Sequence, residues 1–143
     1  MDSDQRPSGV RIVSPPAETL YRQRLPYFVG ISGDTAGSTA ISMNLIVIPA
    51  GGKAEAHLHR GYETAIYILK GRVETRYGPG LEEKLVCEPG DFVFIAADVP
   101  HQPVNLSTTD PAMAVVARND ANEQESVVLY DPSRENPSQV KPE

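Results

Sequence analysis

Tryptophan is missing from these 143 residues, and cysteine occurs once, at Cys87. One cysteine cannot close an intrachain disulfide, which excludes a disulfide-stapled scaffold and fits a reducing compartment. With no CxxC partner and no activating base beside it, Cys87 reads as a small half-buried side chain rather than a reactive thiol. Surplus positive charge is also missing. Lys and Arg total 13 against 19 Asp and Glu, a net charge of −6, and Arg22 and Arg24 are too few to make a basic patch. Nucleic-acid binding, which rests on clustered cations, is excluded. Long apolar runs are absent too. The longest, Leu45 to Ile48, falls far short of a bilayer span. The start Met1-Asp2-Ser3-Asp4-Gln5-Arg6-Pro7 has neither the basic nor the apolar region of a signal peptide. A soluble, cytoplasmic protein without membrane contact is the expectation. No long stretch shows the helical period, and no P-loop, dinucleotide fingerprint or nucleophile elbow is present.

Turn formers are abundant instead, with 13 Pro and 11 Gly, as expected for many short elements. A chain of this length with 40% hydrophobic residues is expected to form one domain with one core. Candidate strands are Val10–Val13, Leu25–Ile31, Thr39–Ile48, Glu55–His59, Thr64–Leu69, Arg72–Tyr77, Leu81–Cys87, Phe92–Ile95, Ala112–Ala117 and Ser126–Tyr130, bounded by turn residues. In Thr39–Ile48, Ile41, Met43, Leu45 and Val47 alternate with Ser42, Asn44, Ile46 and Ile48. The first half is one-sided and the second apolar on both faces. Such a series implies an all-β sandwich or barrel. Its core is expected at about 39–118, with polar arms at 1–13 and 131–143.

The chain has three histidines. His57 and His59 are two apart, so on a strand their rings point to the same side. His101 follows 42 residues after His59. Glu63 stands four residues after His59, an even offset that puts its carboxylate on the same face of an uninterrupted strand. Imidazole is the commonest protein metal ligand. Three nitrogens and a hard oxygen suit divalent Fe, Mn, Co, Ni or Zn. An ion that accepts six ligands keeps about two positions for water, O2 or substrate, and an open position marks a catalytic site.

These residues sit in two frames. Gly51, five residues, His57-Leu58-His59, three residues, Glu63 and then Gly71 resemble the first motif of the cupin family. Gly90, five residues, Ala96-Ala97-Asp98, two residues, His101, three residues and Asn105 resemble the second. Ala96 replaces the usual Pro and Asp98 the usual Gly, and Asp tolerates the left-handed backbone such a Gly supplies. A third departure bears on the ligands. Glu63 is followed by seven residues before Gly71 rather than six, and in the longer form of the motif the Glu position is Thr64. A one-residue slip flips a strand residue to the other face. Either Glu63 reaches the metal with a bulge around Arg60-Gly61-Tyr62, or the site is three histidines plus water. The expectation adopted is Glu63.

The resemblance implies an antiparallel double-stranded β-helix, or jelly-roll, holding one divalent metal on His57, His59, Glu63 and His101. Its first functional implication is a dioxygenase or related oxidoreductase with Fe or Mn, in which Glu63 also acts as a base. The alternatives are a non-redox isomerase or polyketide-cyclase-like enzyme, for which Zn fits, and a non-catalytic small-molecule binding module. With Glu63 facing the cavity, Tyr67 shares its face and becomes a candidate acid or donor to a bound anion. Phe94 is a candidate pocket wall, Gln102 a candidate substrate contact and Asn105 a brace for the His101 loop. Each also has a plain reading as a core or loop side chain. Arg72, Arg76 and Arg118 alternate with apolar residues, and any that faced inward would imply an anionic substrate. Cupins with arms at both ends imply a homodimer, in which the arms cover sheet edges.

Overall fold

Alternating burial builds most of this chain into strands. The structure is a computed structural model and describes residues 9–14, 19–20, 26–122 and 127–135. Eleven strands run in order: β1 (Thr19–Leu20), β2 (Pro26–Ile31), β3 (Ser42–Ile48), β4 (His57–His59), β5 (Thr64–Lys70), β6 (Val73–Tyr77), β7 (Glu83–Cys87), β8 (Phe92–Ile95), β9 (His101–Asn105), β10 (Ala112–Arg118) and β11 (Val127–Leu129). One short helix, α1 (Gly33–Ala36), is closed at its start by a reciprocal capping box between Ser32 and Thr35 and at its end by Gly37 in the left-handed region.

The strands form two antiparallel sheets, a six-stranded one ordered β1-β2-β3-β10-β5-β8 and a five-stranded one ordered β11-β4-β9-β6-β7. They face each other as a jelly-roll, and no ladder joins the two sheets into a closed barrel among the described residues. Between them lies a core that includes Tyr27, Ile46, Ile48, Ile68, Val73, Ala114 and Val116.

Two differences from the sequence reading have physical causes. Val10–Val13 is not a strand: Val10 is 91% and Ile12 89% exposed, and alternation without a pairing partner has nothing to stabilise it. The arms expected at 1–13 and 131–143 lie partly outside the described residues, as do Leu25 and Ser126 at the ends of two expected strands. On β3 the polar half faces inward. Ser42 and Asn44 are buried while Met43 is 48% exposed. Asn44 finds its use there, since its Oδ1 accepts from the Gly30 amide at 3.0 Å. That contact lies where β2 shifts register against β3 between Val29 and Ile31. Gly30 is required at this point because a Cβ would stand 2.6 Å from the Met43 carbonyl oxygen.

Candidate metal centre

β4 and β9 bring the histidines together. His57 pairs directly with His101 across the two strands, and His59 is two residues along on the same face. All three are buried, with 3%, 2% and 4% exposure for His57, His59 and His101. Their candidate ligand nitrogens all lie within 4.8 Å of one another. Small ring rotations would let one ion bridge them with bonds of about 2.1 Å.

Backbone carbonyls orient two of the rings. His57 Nδ1 lies 2.7 Å from the Glu55 carbonyl oxygen and His101 Nδ1 lies 2.9 Å from that of Val99. A carbonyl can only accept, so each Nδ1 carries the proton and each Nε2 presents a lone pair. Fixing the outer nitrogen in this way is how proteins orient metal-binding imidazoles. Burial keeps the rings neutral. It pushes His57 down to about 3, helped by His101 and by Arg118 and opposed by the Glu55 hydrogen bond. It pushes His101 down to about 4, with Arg118 acting in the same direction against the Val99 hydrogen bond. His59 is lowered further by burial, then Arg118, His57 and His101. Three buried neutral imidazoles, two of them with anchored outer nitrogens, fit a divalent metal ion.

The loop before His101 is locked to the loop after His59. Asp98 takes φ +68, as a residue in a glycine position must. Its amide donates to the His59 carbonyl at 3.1 Å, and its Oδ1 accepts from the Gly61 amide at 2.9 Å.

Glu63 is not among the residues that the structure gathers. β4 ends at His59, a turn with Gly61 at φ +82 intervenes, and β5 begins at Thr64. Parity does not carry across that turn, so Thr64 faces inward and Glu63 is exposed on the outer side, its amide donating to Asn119 Oδ1 at 2.8 Å. Tyr67 follows the same inversion. It lies half-buried on the outer face with its ring 4.7 Å from that of Phe92. Phe94 is 64% exposed beside Glu63 in an outer cleft. Gln102 turns away from the histidines and donates to the Ala54 carbonyl at 2.9 Å. Asn105 is buried at the far end of β9. It donates to the carbonyls of Ile48, Pro49 and Asp110, and it accepts from the Ser107 amide. It therefore braces the turn after β3 rather than the His101 loop.

Two residues complete the site. Thr64 and Arg118 are cross-strand partners on β5 and β10, 2% and 5% exposed, and Arg118 Nε donates to Thr64 Oγ1 at 3.0 Å. Both line a cavity of about 60 Å³ with the three histidines, Tyr27, Thr75 and Cys87 among its other walls. Thr64 was legible in the longer motif spacing. Arg118 was one of three alternating arginines, and only the fold shows which points inward.

No curated protein matches the chain by sequence. Its fold is similar to that of oxalate decarboxylase from Lactobacillus farciminis, in a formate complex, with a TM-score of 0.64 and 16% identity. That likeness covers 82% of this chain and 33% of the other, so the chain spans about a third of that protein's length. An uncharacterised conserved protein with a double-stranded β-helix domain from Klebsiella pneumoniae is similar over 87% of this chain and 98% of its own, with a TM-score of 0.63 and 14% identity. The Cnp3 cupin domain of Schizosaccharomyces pombe is similar over 73% and 69%, with a TM-score of 0.61 and 10% identity. At these identities the likeness is one of fold. The cupin domain family matches residues 44–118 directly, more than half of the chain and a span that includes all three histidines, Thr64 and Arg118, and the chain belongs to that family.

Proposed function

We propose that this cupin is a metal-dependent enzyme acting on a small organic molecule, and that its reaction is of the dioxygenase or oxidoreductase type. One observation carries the reading: three buried, neutral, mutually facing histidines, two with their outer nitrogens anchored to carbonyls. His57, His59 and His101 would hold the ion through their inner nitrogens. A bound divalent ion supplies Lewis acidity and, for iron or manganese, redox chemistry with O2. The protein's own part is to keep the ligand nitrogens deprotonated by burial, to leave coordination positions open, and to exclude bulk water with an aliphatic wall that includes Ile46, Ile66, Ile68 and Val116.

An isomerase or cyclase needs a base that can move protons, and with the three histidines engaged as metal ligands a free carboxylate would be the natural candidate. Among the described residues no Asp or Glu lines the cavity, and Glu63 lies outside it. That favours oxidoreductase chemistry over the non-redox alternative. Elemental analysis of the protein purified without chelator, beside a His57→Ala/His101→Ala double variant, tests the proposal. About one Fe or Mn per chain, lost in the variant, together with substrate-dependent O2 uptake, is the expected result. Zinc with no O2 dependence would move the assignment to isomerase or cyclase. No metal after reconstitution with each ion would sink the metalloenzyme reading.

We also infer a homodimer, formed through the outer face of the six-stranded sheet. Cross-strand registers align Phe28, Leu45, Val115, Tyr67 and Phe92 in one row, and Met43, Ala117, Ala65 and Phe94 in the next. Phe92 is 83% and Phe94 64% exposed. Five strands at about 4.8 Å spacing make an apolar stripe roughly 20 Å wide, and contiguous exposed apolar groups are the kind of feature that partners cover. The two rows themselves carry no charged side chain, so the stripe can meet its own copy, as a two-fold contact requires.

A further inference from the structure

Arginine is almost never fully buried unless it has work for its charge, and Arg118 is 5% exposed in the wall of the cavity that holds the histidines. The burial alternation of β10 puts it there, since Ala112, Ala114, Val116 and Arg118 all face inward. Its neighbours orient it. On β5 its cross-strand partner Thr64 accepts from Nε at 3.0 Å. On β3 its partner is Ser42, which is 1% exposed and whose Oγ has no hydrogen-bond partner among the described residues. A row of hydroxyl, guanidinium and hydroxyl therefore crosses three strands, and its Arg118 and Thr64 members share a cavity with the three histidines.

We propose that the cavity takes a small organic carboxylate, received by Arg118 and Thr64 next to the three histidines.

A guanidinium has five N–H donors in a planar fork that matches a carboxylate. Thr64 uses its oxygen to accept from Arg118 and keeps its hydroxyl proton to give to an anion. The histidines are neutral ligands, so a divalent ion on them would keep its full charge and draw an anion to its open positions. Apart from Thr75, Tyr27, Cys87 and these groups the lining is aliphatic or proline. The charged head is therefore directed to the Arg118 and histidine end, and the remainder of the ligand to the aliphatic wall. A cavity of about 60 Å³ has room for about four water-sized groups, which fits a short acid.

This inference rests on the metal-site reading above, and the experiment separates the two. Wild-type protein and an Arg118→Gln variant are loaded with Co(II). Metal stoichiometry is measured first, and each protein is then titrated with acetate and with neutral acetamide, followed by calorimetry and by the visible absorption of the cobalt. Expected are one cobalt per chain in both proteins, acetate binding in the wild type with acetamide at least tenfold weaker, and acetate affinity at least tenfold lower in Arg118→Gln. Tenfold is about the loss of one charge-assisted hydrogen bond. Equal affinity for acetate and acetamide, or undiminished acetate binding in Arg118→Gln, would overturn the proposal and leave the metal site standing. If Arg118→Gln does not fold, Thr64→Val takes its place, with acetate affinity expected to drop while cobalt stays bound; an unchanged affinity would overturn the proposal. If the wild type takes neither cobalt nor any of the other divalent ions, the metal reading fails. The same titrations on metal-free protein then decide the carboxylate question alone: acetate selectivity lost in Arg118→Gln supports it, and its absence from the wild type refutes it.

Discussion

Asn105 shows how much one buried amide can hold. Its Nδ2 reaches three backbone carbonyls, those of Ile48, Pro49 and Asp110, and no apolar side chain can replace it. Asn105→Ala is expected to destabilise the fold by about 3 kcal/mol, read as a lower urea midpoint at constant slope. The histidines set a pH dependence. In the metal-free protein His57 and His101 titrate at about 3 and about 4 rather than 6.5. Between those values and 6.5 the unfolded chain binds protons that the native chain refuses, so stability is complete above 6.5 and falls as the pH drops. The urea midpoint of metal-free protein should therefore decline from neutral pH toward about 5; a flat profile there would contradict the neutral assignment. At this scale the His57–His59 pair was legible because two strand positions two apart need no further information. Glu63 was misplaced because its offset from His59 was counted through a turn. Glu63→Gln should accordingly leave metal stoichiometry at the wild-type value, whereas His101→Ala should abolish it.

Strands were readable where turn residues bound an apolar run, and this accounts for β2, β3 and β4 to β8 as well as β10 and β11. β9 was not, because Pro103 sits in its middle and proline argues against an inner strand. The structure resolves the conflict: β9 is paired along its whole length with β6 but meets β4 only at His57 and His101. On that flank residues 52–54 continue the pairing: the Pro103 carbonyl accepts from the Ala54 amide, and the Ala54 carbonyl, which Pro103 has no N–H to serve, accepts from Gln102 Nε2. The turn between β5 and β6 depends on Gly71, which takes φ +88 and lies so close to β10 that a Cβ would stand 2.8 Å from that of Ala112. Gly71→Ala combines backbone strain with a clash against neighbouring β10 and should cost about 2 kcal/mol or more. Thermal unfolding checks this, with Gly51→Ala as the comparison, since Gly51 has φ +68 and nothing within 4 Å of a Cβ.

At the scale of the molecule, the inverted β3 matters most. Alternation in 41–48 told that two faces differ but not which one is inside, and the polar half turned inward to meet Gly30 and Arg118. The apolar set was left on the outer surface, where it continues across β10, β5 and β8. Sedimentation of the wild type should give twice the chain mass of 15.5 kDa, and Phe92→Glu/Phe94→Glu should give the single chain mass with the fold retained. Among the described residues no helix is long and apolar enough to cross a membrane. The tie between Asp98, the His59 carbonyl and the Gly61 amide has a wider effect. It joins the two sequence-distant histidine segments without help from an ion, so the order that chelation would need is acquired during folding. A trio of neutral nitrogens assembled in advance ranks divalent ions by their intrinsic preference for nitrogen, with copper and nickel above cobalt, iron and manganese. On the proposed metal site, the ion bound would then be decided by what the cell supplies as the chain folds, and protein from two expression hosts would be expected to differ in metal content.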